Sequence, residues 1–253
     1  DGTLLHNKTC KFENIRQYIK NLLSKNISII PNSSKTKAEI LNFCQELEEE
    51  LPFIVENGAA IYKMNLVNSD FPEKIILSRD KEEILNVFFK KIPKELISKC
   101  EFVLKLKKDE QLKIFGLSEK HLIYASEREF SVPLIFKGNK VEKNKLFRLA
   151  YNMGLTMQEG GRVINLSDKV SKSSAMKKVS RIFEKTEKQE LKIIGVGDNF
   201  NDLDMLKSSD IACLVFNEKF KLDTLNINNC LVSKKPAPEG WEEVVKMALE
   251  KIQ

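Results

Sequence analysis

The spacing of apolar and polar residues predicts helices and strands that alternate near both ends of the chain. Apolar residues recur every three or four positions in the predicted helices and form short unbroken runs in the predicted strands. The predicted helices cover residues 12–24, 35–51 and 174–187 and begin again at 203 and 238. The predicted strands cover residues 27–31, 53–55, 191–196, 211–215 and 230–232. Such alternation is typical of an α/β domain.

The pattern changes between residues 80 and 166, where helices and strands are mixed without regular alternation. A helix that contains Ile84 and Phe88 is predicted to end near Pro93, and Asn57-Gly58 upstream predicts a turn before a small hairpin. The other predicted elements of this stretch are helices at 109–115, 119–127 and 142–153 and strands at 102–106, 132–136, 155–158 and 163–166. We therefore predict a Rossmann-like three-layer α/β/α core with an inserted α+β cap domain. The core takes residues 1–79 and 167–253, and the cap takes residues 80–166.

Composition and charge exclude few functional classes, but they argue against a nucleic-acid interface and a membrane span. The chain has 253 residues, which is enough for one large domain or two modest ones, with 42% hydrophobic and 31% charged residues. The net charge of +6 is spread over lysine-rich helix faces, which favours a solvated surface over a nucleic-acid interface. No apolar stretch reaches the length that a membrane span requires.

The cysteines and histidines indicate a reduced protein without a zinc site. The five cysteines show no CxxC spacing, and the two histidines, His6 and His121, cannot complete a usual zinc-ligand set. Cys44 and Cys213 fall in apolar segments, so we predict that both are core thiols. A cytoplasmic location is the expectation.

The most informative local feature is the segment Gly197–Asp202, which follows the apolar run Ile193–Val196. Four acidic or amide side chains lie in this turn, among them Asp198, Asn201 and Asp202. Carboxylates crowded at the end of a buried strand repel each other, so such a cluster indicates a bound cation, and magnesium suits these ligands. The alternative is a turn or helix cap without a metal. We favour the metal site, with Asp198 as its strongest ligand.

Two further segments could bind phosphate. Ser33-Ser34 follows a predicted strand and opens a predicted helix, a place where hydroxyls and backbone N–H groups can bind an anion. A serine that only caps the helix explains the local sequence equally well. Lys172 precedes another predicted helix and could neutralise phosphate charge, although a solvated lysine is the default in a chain so rich in lysine.

The predicted cap contains two polar segments of its own. Gly160-Gly161-Arg162 joins two predicted strands, and Arg162 could bind a carboxylate or a phosphate with both arms of its guanidinium group. Arg128 begins a second polar segment, just before the strand that starts at Val132. A tight hairpin and a helix-end ion pair are the plain alternatives for these two segments.

Taken in order, these motifs resemble the haloacid dehalogenase superfamily of phosphatases, in the branch with an α/β cap. The order is Asp1-Gly2-Thr3, the serine pair after a strand, Lys172 before a late helix, and the acidic turn at Gly197–Asp202. Four stretches resemble mannosyl-3-phosphoglycerate phosphatases more narrowly. They are Ser34-Lys35-Thr36 with Glu39, Glu56–Ile61, Gly116–Ser131 and Gly160-Gly161-Arg162.

The resemblance implies a magnesium-dependent phosphatase that works through an aspartyl-phosphate intermediate. Asp1 would protonate the leaving oxygen, deprotonate the attacking water and ligate magnesium through its backbone carbonyl. Asp198 and Asp202 would complete the metal site, with Asn201 as support. Lys172 and Ser33 or Ser34 would bind the phosphoryl group. Arg128, Gly161 and Arg162 would face the carboxylate and sugar of a phosphorylated sugar substrate. A monomer or homodimer is expected, with no nucleic-acid or membrane partner.

The chain departs from the family pattern in two places. The nucleophilic aspartate is expected two residues before Asp1, on a central strand, so we expect the natural protein to begin roughly ten residues earlier. In addition, Val132 stands before Pro133 where the family usually has an acidic residue, which leaves the exact sugar open.

Three other interpretations remain at this point. The enzyme could act on a different sugar or polyol phosphate, since cap residues set specificity. If the nucleophile is truly missing, the chain would be a catalytically inactive binding protein. Nucleic-acid binding would require a contiguous basic face and would be lost with added salt.

Overall fold

The computed structural model describes residues 1–7, 9–160, 162–186, 191–218, 227 and 229–252. They form two compact units. We call Asp1–Ile29 with Lys172–Gln253 the terminal unit, and Ile30–Ser171 the middle unit.

The described helices and strands follow the predicted order closely. The helices are α1 Arg16–Ser24, α2 Lys37–Leu47, α3 Lys81–Lys91, α4 Lys94–Ile97, α5 Lys108–Phe115, α6 Glu119–Ser126, α7 Lys140–Asn152, α8 Lys172–Thr186, α9 Leu203–Lys207 and α10 Glu239–Glu250. The strands are β1 Phe53–Val55, β2 Ala60–Tyr62, β3 Lys74–Ile76, β4 Cys100–Phe102, β5 Ser131–Phe136, β6 Leu155–Glu159, β7 Ile164–Asp168, β8 Ile194–Gly197, β9 Ile211–Leu214 and β10 Leu231–Val232. Short 3₁₀ helices cover Glu13–Ile15, Met64–Leu66, Val103–Lys105 and Phe200–Asp202.

The terminal unit contains a parallel sheet with the strand order β10-β9-β8. Ala212 and Leu214 of β9 belong to an apolar cluster with Met205 of α9. Cys213, which lies between them, donates its thiol hydrogen to the carbonyl oxygen of Val244 in α10, at 3.7 Å. Because successive side chains of a strand point to opposite faces, α9 and α10 cover opposite faces of this sheet. The terminal unit is therefore built in the three layers that the alternating pattern predicts.

The middle unit begins with a helix whose start is set by a capping box. The Thr36 hydroxyl accepts a hydrogen bond from Glu39 N at 3.1 Å, and the Glu39 carboxylate accepts one from Thr36 N at 2.9 Å. Helix α2 then begins at Lys37 and ends where Glu48 adopts a left-handed conformation with φ of 62°. The prediction that Ser33-Ser34 forms the N-cap is therefore wrong, because Thr36 has the glutamate partner three residues on.

A small antiparallel sheet with the order β1-β2-β3 follows α2. Phe53 pairs with Tyr62 and Val55 with Ala60, so β1 and β2 form the hairpin that the Asn57-Gly58 pair predicts. The residues of β1 and β2 are buried, which agrees with their unbroken apolar sequence.

The inserted region contains a four-stranded antiparallel sheet with the order β4-β5-β7-β6. One face of this sheet is apolar. There, Leu134 and Leu166 pack in a core cluster with Phe88 of α3 and Leu146 of α7. The opposite face carries Ser131 and the other alternate residues of the same strands. Its apolar part joins a second cluster, in which Ile135 and Val163 pack on Val103, Phe115 and Leu122.

Two predicted strands differ from the structure. Residues 27–31 form no described strand, since the pairing there is a single parallel bridge between Asn32 and Ile54. A strand requires a ladder of successive pairs. The predicted strand at 102–106 ends at Phe102, and a 3₁₀ turn then buries Val103 in the second cluster. Apolar periodicity cannot distinguish a short buried strand from such a turn.

The two compact units do not coincide with the predicted domains. Residues 30–79 were predicted to belong to the core, whereas they group with the inserted residues in the middle unit. The unit boundary at Ser171 lies close to the predicted boundary at 166 and 167. The division into a core of 1–79 and 167–253 with a cap of 80–166 stays a prediction.

None of the helices in the described part of the chain is long and apolar enough to cross a membrane. The five cysteines are free thiols. Cys44 and Cys213 are buried, as predicted, and burial raises the pKa of both thiols, that of Cys213 to about 12. Neither thiol is therefore activated as a nucleophile.

Candidate active site

The acidic turn after β8 is folded by the carboxylate of Asp202. One oxygen of Asp202 accepts hydrogen bonds from the backbone N–H groups of Asp198, at 3.1 Å, and Asn199, at 3.3 Å. A Cβ atom added at Gly197 would overlap the Asp202 side chain, so the close approach of the turn requires glycine there. This fold brings two carboxylates together at the carboxyl end of β8, where α/β sheets bind their ligands.

Asp198 lies in a polar cradle formed by residues from two other parts of the terminal unit. Its side chain is 7% exposed. The Thr3 hydroxyl donates to Oδ1 at 2.5 Å, and Asn217 Nδ2 donates to Oδ2 at 3.2 Å and to the backbone oxygen of Asp198 at 3.3 Å. Gly2, with φ of 81°, lies so close that an added Cβ would overlap the Asp198 carboxylate. Both oxygens of Asp198 are thus held in fixed directions.

Burial raises the pKa of Asp198 above its ordinary value, and the negative charge of Asp202 adds to this effect. The hydrogen bond from Thr3 and the charge of Lys172 oppose it. A buried carboxylate next to a second carboxylate is stabilised in its charged form by a nearby cation. The electrostatics of the turn therefore favour cation binding at Asp198.

Lys172 supplies a positive charge beside the turn. Its Nζ lies 2.7 Å from Oδ1 of Asp202, and the two side chains are 13% and 4% exposed. Lys172 is the first residue of α8, so its position depends on where that helix begins. The structure therefore places Lys172 beside the acidic turn, which the sequence could suggest only through the family resemblance.

The residues present fit a magnesium ion with Asp198 as the direct ligand. Within the described ranges, no group of three His, Cys, Asp or Glu side chains is arranged to hold a metal. Magnesium, however, usually takes one or two carboxylates and completes its shell with waters and substrate phosphate. Asp198 retains acceptor positions beyond those used by Thr3 and Asn217, whereas Asp202 already accepts from Lys172 and two backbone amides. The roles of Asp1 and Asp202 as ligands stay predictions.

Asp1 belongs to the same part of the terminal unit, because Gly2 and Thr3 contact Asp198 directly. Its side chain is exposed, and Oδ1 accepts a hydrogen bond from the Cys10 thiol at 3.4 Å. The turn that follows is closed by a hydrogen bond from Gly2 N to Leu5 O at 2.8 Å. An exposed carboxyl group can exchange protons with substrate and solvent, which suits the acid–base role predicted for Asp1.

In the middle unit, the serine pair is held by hydrogen bonds of its backbone and of the Ser33 hydroxyl. Ser33 N donates to Ile54 O at 3.1 Å, and Ser33 O accepts from Asn57 N at 2.8 Å. The Ser33 hydroxyl accepts a hydrogen bond from Lys35 N at 3.2 Å. Both serines are partly exposed. Phosphate binding by either serine stays a prediction.

Arg128 contacts the serine pair within the middle unit. Its Nη1 donates to Ser34 O at 3.3 Å and to the Ser131 hydroxyl at 3.0 Å. The side chain is 8% exposed, and its Nε is buried without a hydrogen-bond partner. The structure therefore brings together two of the predicted substrate-binding segments.

The remaining predicted site residues have less defined surroundings. Arg162 is exposed, and its guanidinium group lies over Gly116, where an added Cβ would come within 2.8 Å of Nη1. Gly116 ends α5, and a cation is favourable at this end of a helix. Asn201 is exposed in the 3₁₀ helix after Asn199, and Gly161 lies outside the described residues.

Sequence reasoning missed one residue of the Asp198 cradle. Asn217 was not singled out, although it follows β9, the neighbour of β8 in the parallel sheet. The rule that ligands bind at the carboxyl ends of parallel strands applies to β9 as well as to β8, and it would have pointed to Asn217. Thr3 belongs to the Asp1-Gly2-Thr3 motif, but the motif does not predict its contact with Asp198.

Comparison with known proteins identifies the family. Residues 1–225 match the model of the haloacid dehalogenase-like hydrolases. The chain belongs to this family. A protein of Persephonella marina named glucosyl-3-phosphoglycerate/mannosyl-3-phosphoglycerate phosphatase is 30% identical over 266 residues, which cover 100% of this chain and 96% of that protein. A protein of Methanococcoides burtonii with the same name is 27% identical over 254 residues, with 97% and 93% covered.

The structure of this haloacid dehalogenase-like hydrolase resembles a solved phosphatase of the same superfamily. BT1666 from Bacteroides thetaiotaomicron superposes with a TM-score of 0.69 at 14% identity, covering 98% of this chain and 91% of that one. The predicted α/β fold with an inserted cap is confirmed. The family match and the named phosphatases also confirm the resemblance stated from the motifs and the prediction of an enzyme, a phosphomonoester hydrolase of the haloacid dehalogenase type.

Proposed function

We propose that this hydrolase is a magnesium-dependent phosphatase that removes phosphate from a phosphorylated glycosyl-glycerate through an aspartyl-phosphate intermediate. The observation that supports it most is the buried Asp198, held by Thr3 and Asn217 beside the Lys172–Asp202 pair. A fixed carboxylate next to an ordered lysine is suited to an anionic reaction centre, where both attacking and transferred groups are negative.

Each residue of the terminal unit has a defined task in this proposal. Asp198 holds magnesium, which when bound screens the approach of two anions and orients the in-line attack. Asp1 gives its proton to the leaving oxygen and later takes one from the attacking water. Lys172 binds the transferred phosphoryl group while its ion pair with Asp202 fixes its direction. Asn201 supports the turn at its exposed edge.

The family resemblance also assigns substrate contacts to residues of the middle unit. Ser33 or Ser34 contributes to the phosphoryl site, and Arg128 and Arg162 supply the positive charge for the glycerate carboxylate. Gly161 would face the sugar, as the family resemblance implies. The choice of a glycosyl-glycerate rests on the relatives, which are named for glucosyl- and mannosyl-3-phosphoglycerate.

The position of Val132 bears on the choice of sugar. Its side chain is buried in the apolar core cluster of the inserted region, together with Leu134 and Leu166. In this chain, position 132 therefore points away from the sheet face that carries Ser131. The valine is suited to packing there, and the choice between the glucosyl and the mannosyl substrate stays open.

A phosphate-release assay tests the proposal. The full-length protein, with any residues that precede Asp1, is incubated with magnesium and glucosyl-3-phosphoglycerate, mannosyl-3-phosphoglycerate, or simple sugar and polyol phosphates. We expect turnover of at least one of the two glycosyl substrates in preference to the others. Preference for a sugar or polyol phosphate would support the alternative substrate class. The absence of any turnover would support an inactive binding protein. The cytoplasmic location and the monomer or homodimer stay predictions.

A further inference from the structure

Glu56 is a buried carboxylate that none of the proposed catalytic steps uses. It is 1% exposed and lies at the end of β1, in a turn where three successive residues have left-handed backbones. The φ angles are 46° for Glu56, 61° for Asn57 and 100° for Gly58. Such conformations are costly for residues other than glycine, and they persist only where the surrounding structure holds them.

The side chain of Glu56 binds one short segment of the inserted region, residues 129–131. Oε1 accepts a hydrogen bond from Glu129 N at 2.9 Å. Oε2 accepts hydrogen bonds from Phe130 N at 3.1 Å and from the Ser131 hydroxyl at 2.6 Å. Three donors directed at one buried carboxylate offset the cost of burying its charge and fix the segment that donates them.

The backbone of the same turn binds the serine pair. Glu56 N donates to Lys35 O at 3.0 Å, and Asn57 N donates to Ser33 O at 2.8 Å. These two hydrogen bonds place the turn against the chain between Ser33 and α2. One strained turn therefore contacts residues 33–35, which are expected to bind phosphate, through its backbone. The same turn contacts residues 129–131 through the side chain of Glu56.

Arg128 links the serine pair to residues 129–131. Its Nη1 donates both to the Ser131 hydroxyl and to Ser34 O. Because the Ser131 hydroxyl has one proton, and this proton goes to Glu56, its oxygen is left as an acceptor for Arg128. The orientation of the Ser131 hydroxyl, and with it that of the guanidinium group, is thereby set by the Glu56 carboxylate.

We propose that Glu56 is a positioning residue for substrate binding. Its carboxylate orients Ser131 and thereby directs Arg128, while its turn holds the Ser33–Lys35 segment in place. This inference rests on the proposed function, because it takes Arg128 as a ligand of the substrate carboxylate. A purely structural role for Glu56 would lower stability and affect all substrates equally, so the two roles differ in their kinetic signature.

The first test is Glu56→Gln in the full-length protein, assayed with two substrates. One is the glycosyl-3-phosphoglycerate that the wild type accepts, and the other is p-nitrophenyl phosphate, which has no carboxylate for Arg128. The NH2 group of the amide must take one of the two carboxylate oxygen positions, where it faces either Glu129 N or the pair of Phe130 N and the Ser131 hydroxyl, so the substitution disturbs the 129–131 segment in both orientations. We expect KM for the glycosyl substrate to rise about tenfold or more, with kcat/KM for p-nitrophenyl phosphate within about threefold, since the backbone bonds to the serine segment remain.

Two matched controls accompany this variant. Glu142 is also a carboxylate of the middle unit that accepts a backbone N–H, from Asn139, and binds Lys99. None of its hydrogen bonds given by the structure involves residues 33–35 or 128–131. Glu142→Gln should therefore leave the ratio of the kcat/KM values for the two substrates unchanged. Ser131→Ala cuts the link to Arg128 but leaves the two backbone bonds to Glu56, and it should reproduce the selective rise in KM. Ser167→Ala, at the paired position on β7, is its control.

The outcomes separate the inference from the function on which it rests. A wild type that turns over neither glycosyl substrate overturns the proposed function and this inference with it. If the wild type is active, and either Glu56→Gln or Ser131→Ala changes the kinetics of both substrates equally or of neither, the inference alone is overturned. If Glu56→Gln does not fold, the ratio of the kcat/KM values of Ser131→Ala for the two substrates tests the inference by itself.

Discussion

Nζ of Lys172 lies 2.7 Å from Oδ1 of Asp202, and the other oxygen of this carboxylate accepts the backbone N–H groups of Asp198 and Asn199. Asp202 thus connects the start of α8 to the turn that carries Asp198. An ion pair at this degree of burial depends on both partners, since either charge left alone would be costly. Lys172 therefore supports the shape of the acidic turn as well as the charge balance of the phosphoryl site.

Replacement of Lys172 by methionine should lower both stability and activity. The buried Asp202 would lose its ammonium partner, and we expect the free energy of unfolding to fall by about 3 kcal/mol. Urea denaturation followed by circular dichroism measures this change, and phosphate release measures activity. Lys177 is exposed on the same helix, so Lys177→Met is the control. Unchanged stability in Lys172→Met would show that the ion pair does not hold the turn.

Asp198→Asn should abolish magnesium-dependent activity and leave the fold intact. The amide retains the shape of the side chain but removes the charge that a cation requires. Because burial and Asp202 already disfavour the charged form of Asp198, a neutral side chain should not destabilise the terminal unit. We expect phosphate release to fall at least about a hundredfold, with an unchanged circular dichroism spectrum.

Asp204→Asn is the matched control for this substitution, because Asp204 is exposed in α9 a few residues further on. It should retain wild-type activity and the wild-type dependence on magnesium. Full magnesium-dependent turnover by Asp198→Asn would mean that the metal binds elsewhere.

Asn217→Ala should weaken magnesium binding more than it weakens folding. Asn217 donates to a carboxylate oxygen and to the backbone oxygen of Asp198, so it directs a ligand rather than binding the metal itself. Loss of such a partner typically costs metal affinity or activity, and we expect the magnesium concentration for half-maximal activity to rise about tenfold. A magnesium titration of phosphate release measures it. The neighbouring exposed Glu218, as Glu218→Gln, should leave the titration unchanged, and an unshifted titration for Asn217→Ala would refute its role.

Asp168→Asn should lower stability at neutral pH but not in strong acid. Burial tends to raise the pKa of Asp168, but the hydrogen bonds and charge of Arg79 outweigh it and hold the pKa below its usual value. A lowered pKa in the folded state contributes stability above the unfolded pKa of about 3.9, and this stability is lost as the pH falls through the folded value. Because both side chains keep some exposure, we expect the free energy of unfolding at pH 7 to fall by about 1 kcal/mol.

Unfolding free energies of wild type and Asp168→Asn at several pH values would test this expectation. The difference between them should be constant near neutrality and shrink below about pH 4. Asp70→Asn, at an exposed position of the middle unit, serves as the reference. A difference that stays the same down to the lowest pH would show that Asp168 does not stabilise the protein through its charge.

The sequence predicted most helices and strands, because their signals are local. Helix α2 has its capping box within four residues, and β9 is an apolar run that any buried strand would show. The predictions were wrong where a local pattern has two solutions, as at residues 102–106, where Val103 is buried by a 3₁₀ turn instead of a strand. The short helix α4 after Pro93 was not predicted, since four residues carry too little periodicity to be recognised.

The candidate site was predictable to the extent that its residues lie in motifs. The motifs contain Asp198, Asp202 and Lys172, and the structure places Lys172 beside the turn that carries the two aspartates. Glu56 was noted only as part of a motif, and nothing in its neighbouring residues shows that it binds a segment more than seventy positions away. Asn217 follows an ordinary strand and has no motif of its own.

By itself, the sequence determined the order of the elements, the family and the acidic turn, because apolar periodicity and the spacing of Asp and Gly residues are properties of neighbouring positions. The tertiary structure alone decided which side chains meet. The parallel pairing of β8 with β9 brings Asn217 to Asp198, and the turn after β1 brings Glu56 to Ser131. These contacts join distant parts of the chain, and their geometry follows from how strands pair and cores pack. The acidic turn is local in sequence, but the cradle that orients it is not.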